Sequence, residues 1–314
     1  MGKTRAVLAL DIGGSKLASA VVTLKGTIIQ KYVQPTHNPN DGVSVFNQLV
    51  ALSRACLAAT SDDIDVISVG VGVGGPMILP EGIVSTLNIP GWRDFPLKSR
   101  LQSVLGLPIY MDNDAKAFAL GQYMFGEGKG SRNMMGIILS TGVGGGIIAS
   151  GKLLHGKSYN AGHIGHMVVE QDGPRCACGG RGCLEAIASG PSIAKLYVAA
   201  LHPGSSQNTS QITSEVVARK ALQGDENARK IFERAGTAAG RAIASAASLL
   251  DIPLFVLGGG VMRSGDLILN PLIRTVRTHA KLSFLNDLEI RVATDPAEAA
   301  LIGAASLAIS EIIS

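Results

Sequence analysis

One histidine and three cysteines stand at a spacing typical of a metal site. They are His166, Cys176, Cys178 and Cys183, in the pattern H-x9-C-x-C-x4-C. Three thiolates and one imidazole suit the closed tetrahedral coordination of a structural Zn²⁺, which leaves no open position for a substrate. Two alternatives are reduced cysteines without a metal and a catalytic zinc, which would need such an open position. We expect a structural zinc held by a loop at residues 166–183.

Glycine is the outlier of the composition, with 39 of 314 residues, against roughly 7% in average proteins. Two clusters follow short apolar runs, in DIGGSK at 11–16 and STGVGGGI at 140–147. Glycine allows tight turns whose backbone N–H groups point at an anion. One such hairpin alone would favour an ordinary β-turn. Two of the same design predict a duplicated α/β unit with two anion-binding turns.

A carboxylate lies where a predicted strand, residues 108–111, meets a predicted helix, residues 115–125. Asp114 can cap this helix there, as Asp112 and Asn113 also can. A carboxylate in such a place can equally serve as a general acid or base. The residues by themselves leave both interpretations open.

The segments that must position these residues alternate between strand and helix patterns. Apolar runs bounded by turn residues predict strands at 6–10, 17–22, 66–75, 108–111, 136–139, 147–149 and 253–257. Helical spacing and capping residues predict helices at 43–59, 115–125, 191–201, 214–223, 226–250 and 296–309. Asp41 and Asp225 are the predicted N-caps, Gly224 is a predicted helix end, and residues 202–213 are expected to form a loop.

Composition and charge exclude several classes of protein. Apolar residues make up 46% and charged residues 17%, with a net charge of +4, which predicts a globular chain of roughly two domains. No apolar stretch reaches the ~18 residues of a membrane span, and the first residues lack a signal-peptide pattern. With 4% aromatic residues and no block of basic residues, nucleic-acid binding has little support. We expect a cytoplasmic protein with neither membrane nor nucleic acid as a partner.

Taken together, the motifs resemble the ROK family (repressors, open reading frames, kinases). The matching segments are DIGGSK at 11–16, LNIPGW at 87–92, NDA at 113–115, STGVGGGI at 140–147, AGHIGH at 161–166, CACGGRGCLEAIASG at 176–190, GGG at 258–260 and AALIGAASLA at 299–308. The resemblance implies an α/β fold similar to the actin-like, ribonuclease-H-like ATPases, with two α/β domains and a cleft between them. We expect one domain of residues 1–115 plus 296–314 and another of residues 116–295.

The resemblance also implies an ATP-dependent sugar kinase that uses Mg²⁺ and a structural Zn²⁺, with polyphosphate open as an alternative donor. Such a kinase would phosphorylate the 6-hydroxyl of a hexose or an N-acylhexosamine. The resemblance places Asp11 at the Mg²⁺ and Gly259 near the adenosine. Lys16 is either a phosphate ligand or a surface residue. The residues that it places at the phosphates are Gly13, Gly14, Thr141, Gly142, Gly144 and Gly145.

On the sugar side, the resemblance makes Asp114 the general base of the phosphoryl transfer. It implies sugar contacts from Gly75, Asn88, Asn113, His163, His166 and Glu185. His166 would bind zinc through one ring nitrogen and a sugar hydroxyl through the other, so that the metal orients a substrate-binding imidazole.

One position departs from the usual pattern of the family. His163 stands where most of its kinases have a glutamate, and a packing role for this histidine stays open. The GHIGH turn and residues 172–190 look like bacterial N-acetylmannosamine kinases, whereas residues 87–97 and 113–130 look more like the family's glucokinases. We expect N-acetylmannosamine as the substrate, with glucose as the alternative.

A regulator that senses sugar without catalysis is a further alternative. The family's repressors carry a helix-turn-helix ahead of the first glycine turn, and only ten residues precede Asp11, so we expect a kinase. Members of the family are often dimers, and a homodimer is expected by analogy.

Overall fold

The computed structural model describes residues 2–201 and 212–313, so most of the loop predicted at 202–213 lies outside the described residues. The chain divides into two compact units. Unit 1 comprises Met1–Gly130, Leu153–Ala161 and Thr294–Ser314. Unit 2 comprises Ser131–Lys152 and Gly162–Ala293. Each unit contains its own sheet and its own packed core.

The strands of the described residues are, in chain order, β1 (Thr4–Ile12), β2 (Lys16–Thr23), β3 (Ile28–Pro35), β4 (Ile64–Val73), β5 (Met77–Ile78), β6 (Ile83–Val84), β7 (Phe95–Pro96), β8 (Ile109–Asn113), β9 (Met134–Leu139), β10 (Val143–Ala149), β11 (Lys152–Leu153), β12 (Leu254–Gly258) and β13 (Glu289–Val292). The α-helices are α1 (Gly42–Ala58), α2 (Leu97–Leu105), α3 (Asp114–Phe125), α4 (Glu185–Ala188), α5 (Gly190–Leu201), α6 (Ser214–Leu222), α7 (Glu226–Leu250), α8 (Asp266–His279) and α9 (Pro296–Ile313). Short 3-10 turns occupy Ile164–His166, Gly260–Ser264 and Ser283–Leu285.

Across the described residues, the two large sheets follow the same plan. The sheet of unit 1 has the order β3-β2-β1-β4-β8, and the sheet built around β9 has the order β11-β10-β9-β12-β13. Both begin with an antiparallel hairpin, β1 with β2 and β9 with β10, and continue with parallel strands. A smaller sheet joins β5, β6 and β7. The duplicated α/β unit that the paired glycine turns predict is confirmed.

Capping residues place several helix ends where the sequence indicates. The Asp41 carboxylate accepts hydrogen bonds from the N–H groups of Val43 and Ser44, and α1 begins at the next residue, Gly42. Asp225 caps α7 through the N–H of Ala228. Gly224, in a left-handed conformation at φ 101°, follows the end of α6. These predictions hold because a cap depends on a few neighbouring residues.

Helix α9 returns to unit 1 and packs against α3 and the faces of β1 and β4. The two helices approach very closely, since a Cβ added to Gly121 of α3 would lie 2.7 Å from the Cα of Gly303 in α9. The predicted domain boundary at residue 115 falls at the second residue of α3, whereas unit 1 extends to Gly130. The α3–α9 contact is the physical reason that α3 belongs to this unit. No helix among the described residues is long and apolar enough to cross a membrane.

Candidate active site

In unit 1, the carboxyl ends of three parallel strands meet at one edge of the sheet. Ile12 pairs with Val73, and Val73 pairs with Asn113, so the segments that follow β1, β4 and β8 begin at the same level. In open α/β sheets, ligands bind at this edge. The predicted site residues that the register brings to it are Asp11, Gly13, Gly14, Gly75, Asn113 and Asp114.

The first glycine turn lies directly against Asn88. A Cβ added to Gly14 would lie 2.4 Å from the carbonyl oxygen of Asn88, so only glycine fits there. Asn88 is exposed, and its segment is anchored by Trp92, which is fully buried and donates its indole N–H to the carbonyl of Gly42 at 2.8 Å. A residue predicted to bind sugar and a turn predicted to bind phosphate therefore lie side by side.

Asp11 carries the perturbed carboxyl group of this edge. Its side chain is 14% exposed and lies 3.8 Å from the ammonium of Lys16. Burial raises the pKa of Asp11 to about 6; the charge of Lys16 opposes this shift and the charge of Asp114 adds to it. The fold thus brings Asp11 and Asp114 close enough to interact. Lys16 pairs with Asp11 across a partly exposed surface, so both predicted roles of this lysine stay possible.

Asp114 is exposed at the first position of α3. The residue before it, Asn113, is the N-cap, and its side-chain oxygen accepts from the N–H of Ala115 at 3.0 Å. Asp114 Oδ1 also lies 2.8 Å from the same N–H. Because Asn113 supplies the cap, capping alone does not account for Asp114, whose exposed carboxylate stands at the sheet edge.

The second glycine turn, in unit 2, is shorter than the sequence indicates. It covers residues 140–142, with the N–H of Ser140 donating to the carbonyl of Gly142 at 2.8 Å. Gly144 and Gly145, predicted to be in the turn, pair with Ile138 and Ile137 inside β10. A Cβ on Gly145 would lie 2.7 Å from the side chain of Met135, so glycine here permits close packing rather than a bend.

Two further predicted residues meet this turn. The carboxylate of Glu185, the first residue of α4, accepts from the N–H of Val143 at 2.9 Å. Gly259 follows β12 at φ 94°, and a Cβ there would lie 2.2 Å from the carbonyl oxygen of Leu139. The contact between Glu185 and the turn has no signal in the sequence, because 42 residues separate the two partners.

The histidine turn, residues 163–166, follows Gly162, which packs on the hairpin of β9 and β10. His163 and His166 are both exposed, with ring centroids 6.1 Å apart and planes inclined by 23°. Between them, Gly165 lies so close to β10 that a Cβ would be 2.0 Å from the carbonyl oxygen of Val143. Both imidazoles therefore lie near the turn that Glu185 contacts, within unit 2.

The predicted zinc ligands converge. The donor atoms of His166, Cys176, Cys178 and Cys183 all lie within 4.8 Å of one another. Cys176 Sγ is 3.8 Å from His166 Nδ1, and Cys178 Sγ is 3.8 Å from Cys183 Sγ. These separations fit a tetrahedron with Zn–S bonds of ~2.3 Å. His166 presents Nδ1 to the cluster, so its Nε2 is the nitrogen available for another ligand.

The thiols of this cluster differ in their electrostatic surroundings. Burial raises the pKa of Cys183 to about 12, whereas the backbone N–H of Gly180 lowers the pKa of Cys178. A metal bound there displaces thiol protons, so its binding free energy also stabilises the folded loop. With four protein donors, the cluster suits a structural zinc.

Comparison with known proteins identifies the class. The model of the ROK family matches residues 7–311, and the chain belongs to this family. A glucokinase of Halalkalibacterium halodurans is 35% identical over 304 residues, covering 94% of this chain and 92% of that protein. An N-acetylmannosamine kinase of Yersinia pseudotuberculosis serotype O:1b is 35% identical over 301 residues, covering 95% and 96%.

A solved structure agrees. The ROK family glucokinase from Streptomyces griseus, in complex with glucose and AMPPNP, superposes with a TM-score of 0.80 at 32% identity, over 96% of this chain and 98% of that one. The fold is that of the actin-like ATPases, as the motifs predict. Family, fold and relatives together identify the chain as an ATP-dependent sugar kinase.

Proposed function

We propose that this sugar kinase transfers the γ-phosphoryl group of ATP to the 6-hydroxyl of N-acetylmannosamine. His163, exposed beside His166, is the observation that carries the choice of sugar. A carboxylate at this position only accepts hydrogen bonds, whereas an imidazole can also donate one. The carbonyl of an N-acetyl group needs a donor. Glucose is the alternative substrate, since a glucokinase and an N-acetylmannosamine kinase are each 35% identical to this chain.

The residues of unit 1 divide among the sugar, Mg²⁺ and the phosphates. Asp114 takes the proton of the attacking hydroxyl late in the transfer, and Gly75, Asn88 and Asn113 hold sugar hydroxyls. Asp11 holds Mg²⁺, which neutralises phosphate charge when it is bound. Gly14 offers its backbone N–H to the phosphates, whereas Gly13 closes the turn by donating its N–H to the carbonyl of Lys16 at 3.0 Å. Lys16 supports phosphate binding with its charge.

The residues of unit 2 divide between the nucleotide and the sugar. The backbone of Gly142 and the hydroxyl of Thr141 bind phosphate, Gly144 and Gly145 hold the strand that follows the turn against β9, and Gly259 lies against the adenosine. Glu185 and the Nε2 of His166 bind sugar hydroxyls. Zn²⁺, held by His166 and the three cysteines, fixes the tautomer and the angle of that imidazole.

The assignment of the general base is tested by Asp114→Asn. We expect kcat to fall by about 10²–10⁴-fold, because the amide cannot take the proton, while the Kd of the sugar stays within about threefold. Coupled ADP release measures the first and calorimetry the second. Asp62→Asn, an exposed carboxylate on the surface, is the control. Near-normal turnover of Asp114→Asn would show that another group is the base.

The choice of sugar is tested with a panel of glucose, N-acetylmannosamine, N-acetylglucosamine, mannose, fructose and allose, with ATP and with polyphosphate. We expect the highest kcat/KM for N-acetylmannosamine with ATP. His163→Glu should shift the ratio of kcat/KM towards glucose by about tenfold, the effect of one hydrogen bond. His279→Glu, exposed at the end of α8, is the control.

Two results would change the proposal. An unchanged ratio in His163→Glu would leave the kinase but remove the role of this histidine. No turnover with any sugar would favour a sugar-sensing regulator. The homodimer expected by analogy is a separate proposal, and light scattering tests it against the chain mass of 32.4 kDa.

A further inference from the structure

A charged side chain is completely buried two residues after Asp114. Lys116, in the first turn of α3, has a side-chain exposure of 0%. Its ammonium lies 2.6 Å from Asp112 Oδ2, 3.1 Å from the carbonyl oxygen of Tyr159 and 3.2 Å from His155 Nδ1. Asp112 and the carbonyl of Tyr159 accept two of the three N–H donors of the ammonium, and the third neighbour, His155 Nδ1, also lies 3.3 Å from Asp112 Oδ2. Burial of a charge is costly unless it is paired in this way.

Asp112 connects this ammonium to the backbone beside Asp114. It is the penultimate residue of β8 and is 2% exposed. One of its oxygens binds Lys116, and the other accepts the N–H of Asn113 at 2.7 Å. Asn113 in turn caps α3 through the N–H of Ala115. A continuous series of contacts therefore runs from Lys116 through Asp112 to the N–H groups of Asn113 and Ala115, the residues on either side of Asp114.

We propose that Lys116 is a positioning residue for Asp114. It acts by holding the Asp112 carboxylate in the orientation that fixes the strand-to-helix junction. The proposal rests on the proposed role of Asp114 as general base. Replacing a buried ion pair with apolar residues is often neutral or stabilising, so stability alone gives no reason for a lysine here. Orientation of a reacting group does, since a displacement of ~1 Å can cost about 10²-fold in rate.

The same ammonium also holds the segment Leu153–Ala161, which belongs to unit 1 although the chain on both sides of it belongs to unit 2. Its contacts there are His155 and Tyr159, and Tyr159 precedes His163 by four residues. Through these two contacts, Lys116 also restrains the segment that leads to the histidine turn. The sequence offers no sign of this, because Lys116 occupies an ordinary position in a helical pattern.

The first experiment compares Lys116→Met with Asp112→Asn/Lys116→Met. Met leaves the Asp112 carboxylate buried without its cation, and we expect kcat to fall by about 10–100-fold. The double variant removes that charge but keeps a side-chain oxygen for the N–H of Asn113, so its kcat should recover to within about fivefold of wild type. Lys129→Met, an exposed lysine after α3, should change neither kcat nor Tm.

A second comparison covers the case in which Lys116→Met does not fold. In the neutral background, Asp112→Leu/Lys116→Met lacks the acceptor that Asp112→Asn/Lys116→Met retains. We expect the Leu form to have the lower kcat, by about tenfold or more, at equal Tm. Equal kcat in the two forms would overturn the proposal. So would a wild-type kcat in folded Lys116→Met.

Hydrogen exchange gives a readout that does not depend on activity. The amides of Asn113 and Ala115 should exchange faster in Lys116→Met and regain protection in the Asn double variant. Unchanged exchange in Lys116→Met would contradict the chain of contacts. Asp114→Asn, measured alongside, separates the two proposals: if it keeps its turnover, the base assignment fails, whatever the exchange of the Lys116 variants.

Discussion

At the scale of residues, one sheet edge gives two carboxylates different environments. Asp114 is exposed, whereas Asp11 is mostly buried beside Lys16, and burial raises the pKa of Asp11 to about 6. The two acids therefore differ in their surroundings. The roles proposed for them differ as well, since Asp11 would hold Mg²⁺ and Asp114 would take the proton of the sugar hydroxyl.

The raised pKa of Asp11 predicts a pH dependence of activity. An Asp11 that binds Mg²⁺ must be ionised, so kcat/KM for MgATP should fall as the pH drops through about 6 and stay level above it. Measurement of kcat/KM from pH 5 to 8 tests this, with Asp11→Asn as the comparison. A profile of the same shape in Asp11→Asn would assign the titration to another group.

The same shift predicts the sign of a stability effect. The folded-state pKa is raised from 3.8 to about 6, so ionised Asp11 lowers the free energy of unfolding as pH rises through this window, and the loss stays constant above it. Without Mg²⁺ at pH 8, Asp11→Asn should therefore be more stable than wild type by up to about 3 kcal/mol. Urea unfolding at pH 4 and pH 8 measures the difference.

At the scale of elements, the zinc loop combines metal binding with a proposed contact to the sugar in one short stretch of chain. Two isolated antiparallel β-bridges fold the loop back on itself. One pairs the backbones of Val168 and Cys183, and the other pairs those of Arg175 and Arg181. Arg234 of α7 holds the loop through three hydrogen bonds of its guanidinium to Glu170. The loop also carries the four metal donors, of which His166 also belongs to the proposed sugar site.

Removal of the metal should therefore affect stability and sugar binding together. With a strong chelator, we expect zinc to be released, Tm to fall by several degrees and sugar affinity to weaken by about tenfold or more. Metal analysis, thermal unfolding and calorimetry measure these changes, and re-addition of Zn²⁺ should reverse them. Arg263→Ala, a variant at a residue away from the loop in sequence, is the control for a loss of stability or affinity that does not come from the metal. Full sugar affinity in the metal-free protein would contradict the proposed coupling.

At the scale of the whole molecule, unit 1 is assembled from three separate stretches of the chain. Its last helix covers Val7 and Ala9 of β1 with Leu301, Ala304 and Ala308. The fit is close, since a Cβ on Gly70 of β4 would lie 1.9 Å from the carbonyl oxygen of Ala304. A helix far along the chain thus covers one face of the sheet that carries Asp11 and leads into Asp114.

Small changes in α9 should consequently disturb unit 1 although they lie far along the chain from its sheet. Gly303→Leu pushes α9 away from α3, since even a Cβ there would lie 2.7 Å from the carbonyl oxygen of Ala117. We expect a loss of about 1–3 kcal/mol or more in the free energy of unfolding, measured by urea. Ile313→Leu, on an exposed residue of the same helix, should change it by less than about 0.5 kcal/mol.

The sequence by itself determined the features that depend on neighbouring residues. The hairpins, the caps at Asp41 and Asp225 and the spacing of the zinc ligands follow from local hydrogen bonds and short-range patterns. Strands with weak patterns escaped it. In β3 half-buried and exposed positions alternate although apolar and polar residues do not, and β13 has four residues with no strong pattern.

Only the tertiary structure decided which glycines bend the chain and which admit a neighbour. Gly145 lies in a strand because Met135 packs against it, and Gly14 is required by Asn88 rather than by the turn alone. It also decided that Lys116 is buried and that Glu185 contacts the second turn. These facts depend on contacts between residues far apart in the chain, whose energies no local pattern records.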